Sequence, residues 1–201
     1  MKLEIIFRGQ GLRVSDDERA YYESLPNVNV RWQKKAWADE GYMVDYLVAF
    51  REATLDRGEV LLGMDRHGSQ KTPAIRTFYD LTGIVPAFTP ANCTDCTSPV
   101  DKHVGQTLKV KIGRKYHEWL ETDINNFDKA PSKNLMRRLI AGWASEAWAD
   151  LCANHQDLIR SAFVKTGFLV AKDGSENHMI ELWGSNGRYT NTAPDGIPYT
   201  F

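Results

Sequence analysis

The feature that most constrains this chain is the unbroken apolar run Val60-Leu61-Leu62-Gly63-Met64, closed by Asp65. A run of this length without polar alternation suits a central strand buried on both faces. A polar turn follows, from Arg66 to Lys71. Thr72-Pro73 then opens a helix, with Thr at the cap and Pro in the first turn. Ile75, Phe78, Tyr79, Leu81 and Thr82 form its buried side, and Gly83 ends it. Ile84-Val85-Pro86-Ala87-Phe88 is the next strand. Strands alternating with helices imply an α/β layer with a partly parallel sheet.

Upstream, Leu3 to Phe7 reads as a strand stopped by Gly9 and Gly11. Residues 10–27 read as polar and turn-rich. Val28 to Trp32 alternates and predicts a second strand. Asp39 is placed to cap a helix whose apolar positions are Met43, Tyr46, Leu47 and Phe50. Downstream, a long amphipathic helix is predicted from about Pro99, with Val100, Val104, Leu108, Ile112, Tyr116, Trp119 and Leu120 recurring at three- and four-residue steps. Ser132 caps a further helix through Leu151, and residues 157–168 form a last short one. Residues 172–201 are rich in Gly, Asn, Thr and Pro and read as a loose tail with one strand at Met179 to Trp183. The expected division is a domain over residues 1–170 and a tail over 171–201.

Composition excludes some roles. Lys and Arg total 25 against 26 Asp and Glu, so no wholly basic nucleic-acid surface is announced. Contact with DNA would fall to local clusters such as Lys102, Lys109, Lys111, Arg114 and Lys115. The three cysteines, Cys93, Cys96 and Cys152, do not form a disulfide framework, and a reducing compartment fits them best. Cys93 and Cys96 have CxxC spacing without a second pair, so they are not read as a zinc site. No window approaches the roughly 20 apolar residues that span a bilayer. The opening MKLEIIFRGQG is not a signal peptide and reads as the middle of a domain.

Two acids fall where chemistry is commonly placed. Asp65 directly follows a buried strand, and Asp101 lies in the first turn of the long helix. Ligand sites in open α/β sheets form at the carboxyl ends of strands. Converging carboxylates suit Mg2+ or Mn2+, and a metal pair about 3.5–4 Å apart activates water and stabilises the leaving oxygen in phosphodiester cleavage. Both acids also have plain structural readings. Asp is a common turn residue, and an acid in a first turn answers the helix dipole. His67 and His103 stand beside them as metal-site or phosphate candidates, or as turn and helix residues. The tryptophans Trp37, Trp119, Trp143 and Trp148 read as packing anchors at helical positions rather than base-stacking platforms.

The segment from Val60 to Lys109 resembles the DDE superfamily endonuclease domain of pogo-, Tigger- and jerky-like transposases, within the mariner superfamily. The matching stretches are the strand ending in Asp65 with its His/Ser/Lys-rich turn, the loop from Pro90 to Asp95, and Pro99-Val100-Asp101 at a helix start. Ile5 to Gly9, Lys35 to Glu40 and the helices from Gly142 to Gly167 extend the likeness over roughly residues 2–170. It implies an RNase H-like fold, a mixed sheet flanked by helices and lacking the first strand, with extra C-terminal helices. It makes Asp65 and Asp101 the second and third metal-binding acids, with two Mg2+ or Mn2+ ions as cofactors. DNA, at transposon ends or related sequences, is the implied partner, and the nucleus the implied location. A homo-oligomer is left open.

The chain departs from that pattern. The family's first acid lies upstream of the strand at residues 3–7, and Asp16 and Asp17, read in a loop, are not its substitutes. Ser98 stands where the family usually has Gln, and Gln70 where His is common. With one carboxylate missing, the expectation is a polypeptide inactive alone as a nuclease. The alternatives are a domesticated, non-catalytic DNA-binding or chromatin-associated protein, or an interaction module in which both acids are structural.

Overall fold

A computed structural model describes residues 1–65, 67–89, 97–128 and 131–181, without the side chains of Lys102, Asn125 and Asp128. Cys93, Cys96, the Pro90–Asp95 loop and Trp183 lie outside the described residues, as does most of the expected tail. The result is a mixed α/β chain with short parallel strands. Contacts sort it into two compact units: residues 1–61, 67–85 and 107–154, and residues 62–66, 86–106 and 155–201.

The first unit opens with β1 (Leu3–Arg8), α1 (Asp16–Ser24) and β2 (Val28–Gln33). The two strands pair in parallel from Leu3 opposite Val28 to Arg8 opposite Gln33. Helix α1 corrects the expected loop over residues 10–27 and places Asp16 and Asp17 in a first turn. Ser15, in extended conformation, accepts the Glu18 N–H at 3.2 Å, the serine half of a capping box. The helix escaped the hydrophobic pattern because one of its two buried residues is charged. Glu18 is only 1% exposed, alongside buried Tyr22.

Helix α2 (Glu40–Glu52) starts at Asp39, whose carboxylate accepts the Tyr42 N–H at 2.9 Å, and buries Met43 and Leu47. Strand β3 (Val60–Met64), α3 (Pro73–Thr82) and β4 (Ile84–Phe88) fall where expected. Strand β3 is not buried on both faces, however, since only Leu62 is buried and Leu61 is 55% exposed. Helix α3 buries Ile75 and Tyr79, while Leu81 is 81% exposed. Thr72 caps α3, and Gly83, at φ 68°, ends it in the left-handed conformation that glycine adopts freely.

Past the π-helical segment Val100–Val104 lie α4 (Gly105–Thr122), the short α5 (Asn125–Asp128) and α6 (Lys133–Asn154). None of the residues of α4 is fully buried, so its apolar stripe is half-covered rather than core. Ser132 caps α6 by accepting the Leu135 N–H at 3.2 Å. Ala141, Ala144, Ser145 and Ala147 are buried on α6, small residues that let it lie close on β1 and β2, and Leu151 is buried further along it.

In the second unit, Leu62, Val104 and Ala162 are buried, and α7 (Gln156–Lys165) packs on the π-helical segment. Helix α7 stops short of the expected Phe168, because the N–H groups of Phe168 and Leu169 both return to the Phe163 carbonyl, at 2.9 and 3.1 Å. The expected strand from Met179 is instead a 3-10 turn, Asn177–Met179, followed by a single bridge at Glu181. Glu181 N–H bonds the Lys165 carbonyl at 2.8 Å, and the rest of the expected strand lies outside the described residues. No described helix is long and apolar enough to cross a membrane.

Candidate metal and nucleic-acid site

Strands β3 and β4 are hydrogen-bonded neighbours. Val60 N–H donates to the Gly83 carbonyl at one end and Thr89 N–H to the Met64 carbonyl at the other, at 3.1 and 2.8 Å. Start meets start and end meets end, so the pair is parallel. Asp65 directly follows β3 at this carboxyl end and is exposed. Parallel strands leave their ligand positions at that edge.

Asp101 is held by its backbone. Ser98 Oγ accepts the Asp101 N–H at 3.2 Å, so the residue that replaces the usual Gln serves the helix start. The next turn is π-helical: Gly105 N–H reaches back five residues to the Val100 carbonyl. A Cβ on Gly105 would stand 2.8 Å from that carbonyl oxygen, so the wide turn depends on glycine. The Asp101 side chain is exposed, and Asp65 and Asp101 belong to the same unit. Both offer hard oxygen donors of the kind Mg2+ and Mn2+ take. Among the described residues, no group of three or more His, Cys, Asp or Glu is arranged to hold an ion.

His67 shares a hydrogen bond with Ser69 Oγ through Nδ1, at 2.8 Å. Its ring stacks on Trp37 at 5.2 Å between centroids and 20° between planes. Trp37 is no helical packing anchor: it lies in the loop between β2 and α2 and is 62% exposed. His103 lies half-buried within the π-helical segment.

The basic residues of α4 divide. Lys111 pairs with Asp150 at 2.5 Å, and Lys115 with Glu146 at 3.2 Å and Glu118 at 3.9 Å. They line a groove of about 370 Å³ between α4 and α6, with Trp143 on its wall. Lys109 and Arg114 are exposed. A second basic cavity, of about 430 Å³, was not foreseen. It is lined by Arg8, Arg13, Trp32 and Arg137 where the chain leaves β1. Its signal in the sequence is the basic residue and glycines that follow the first strand.

With the parallel edge and its acid in place, the class is plain. The chain belongs to the DDE superfamily endonucleases, whose family model matches residues 1–163. Among curated proteins it is similar to the human protein "Pogo transposable element with ZNF domain", at 22% identity over 127 residues, 63% of this chain. The chain spans 9% of that relative's length. No solved structure matches it.

Proposed function

We propose that this chain carries part of an RNase H-like DNA strand-cleavage and strand-transfer domain, in which Asp65 and Asp101 hold Mg2+ or Mn2+. The observation that carries the reading is Asp65 at the carboxyl end of a parallel strand pair, within a stretch that the family model covers. The likeness to a pogo transposable element supports DNA as partner and the nucleus as location. A bound divalent ion would supply a Lewis acid and an activated water. The chain's own part is to hold the ion: Asp65 through the rigid end of β3, Asp101 through Ser98 and the π-helical turn.

That no group of three or more His, Cys, Asp or Glu among the described residues is arranged to hold an ion favours a further reading. The 201 residues by themselves bind metal weakly and contact DNA without cutting it. The test is Mn2+ titration by calorimetry, together with Mg2+-dependent nicking of supercoiled plasmid. Weak Mn2+ binding that falls in both Asp65→Asn and Asp101→Asn is expected, with no nicking. Unchanged Mn2+ binding in both variants would sink the metal site. Nicking by the chain that disappears in Asp65→Ala would overturn the inactivity.

A further inference from the structure

We propose that Trp37, backed by His67, is a stacking platform for an unpaired nucleobase. Tryptophan is usually well covered in folded chains, yet Trp37 is 62% exposed. Its exposure is not looseness, because the loop beneath it is tied at several points. Ala36 N–H donates to the Gln33 carbonyl at 2.9 Å and Lys35 N–H to the Gln33 side-chain oxygen at 3.0 Å. The Gln33 side-chain nitrogen donates to Asp39 at 2.9 Å. Ala36 sits at φ 57°, a left-handed conformation that alanine adopts only when its surroundings impose it.

The backing ring is fixed as well. His67 is bound to Ser69, and the turn Gly68–Gln70 that follows packs on α2 and α3. Buried Tyr79 donates its hydroxyl to the Gln70 carbonyl at 3.2 Å. Two rings are thus stacked and anchored, with the outer one open to solvent.

The surroundings select the ligand. Lys34 and Lys35 are exposed shortly before Trp37 and Glu40 shortly after it, whereas the carboxylate of Asp39 is engaged by the Tyr42 N–H and Gln33. A protein partner would call for a wider apolar patch around the ring. One open aromatic face on a loop that also carries two exposed lysines matches a base and its phosphate in a single strand. Bases inside a duplex are stacked on each other and offer no free face. The inference rests on the DNA-binding reading above and narrows it to DNA that is locally unpaired.

The test is fluorescence anisotropy of the full 201-residue chain with a labelled oligothymidine strand and a labelled duplex, with metal chelated throughout. Trp37→Ala should weaken single-strand binding about tenfold or more and leave duplex binding unchanged. Trp37→Phe, which keeps a ring, should stay within about threefold of wild type. Equal single-strand affinity in wild type and Trp37→Ala, equal losses for strand and duplex, or no single-strand binding by wild type would each overturn the platform. Chelation separates the two proposals, since failure of the Mn2+ titration leaves this measurement standing.

Discussion

Glu18 and Arg137 form an ion pair at 2.8 Å that joins α1 to α6, with the carboxylate almost wholly out of water. Asn134 and the Tyr22 hydroxyl also donate to Glu18, at 2.5 and 2.6 Å. Burial, and then the hydrogen bond to Glu18, pushes the Tyr22 phenol well above its ordinary range, so it remains a donor at neutral pH. A buried carboxylate left without its cation is far more costly than a pair removed together. Arg137→Ala should therefore destabilise the fold by about 3–5 kcal/mol. Replacing both residues, Glu18→Leu with Arg137→Met, should cost less than Arg137→Ala alone. Urea unfolding checks both, and equal losses would show that the pair does not behave as a buried charge network.

Asp39 closes the gap between β2 and α2 from both sides. The hydrogen bond from Gln33, then that from Tyr42 N–H, holds its carboxyl below the usual carboxylate value. A depressed folded value means that the stabilisation is present above the unfolded pKa, about 3.9, and is lost as pH falls through the folded one. Asp39→Ala should lower stability by about 1 kcal/mol at neutral pH, and Asp39→Asn by less, since amide oxygen also caps. Thermal unfolding followed down through the acid range should show the wild type converging on Asp39→Ala. A constant gap at all pH values would place the effect elsewhere.

Two glycines of α4 should respond oppositely to the same change. A Cβ at Gly105 meets the Val100 carbonyl oxygen at 2.8 Å, whereas one at Gly113 meets nothing within 4 Å. Gly113→Ala should stabilise by about 0.5–1 kcal/mol through helix propensity. Gly105→Ala should destabilise by about 1–3 kcal/mol, as overpacking against rigid backbone does. Differential scanning calorimetry of both variants decides it, and a stabilising Gly105→Ala would show that the π-helical turn relaxes without cost.

What was legible in the sequence was local. Asp39, Thr72 and Ser132 announce their helices because a cap bonds the backbone three residues on. The run from Val60 to Phe88 announces its strands and helix because turn signals bracket them. Helix α1 was hidden because Glu18 is buried only by virtue of Arg137 and Asn134, more than a hundred residues away. The partners of Lys111 and Lys115, Asp150 and Glu146, are likewise remote in sequence. Trp37 misled for the opposite reason: its residue type argues for burial, and only the tied loop from Gln33 to Asp39 keeps it outside. Asp65 and Asp101 were nominated by position and resemblance, while the glycine-dependent turn behind Asp101 gave no periodic signal.

That turn makes the orientation of Asp101 a matter of counting. A π-helical turn holds one residue more than an α-helical one, and each residue of an α-helix advances it by roughly 100°. Deleting one residue between Asp101 and Gly105 would restore a regular helix and swing the carboxylate about a quarter of a circle relative to the positions that follow. The side chain, its charge and its neighbours in sequence would be almost unchanged, and only its bearing would differ. The insertion of a single residue is thus as specific a determinant of the proposed site as the identity of the acid.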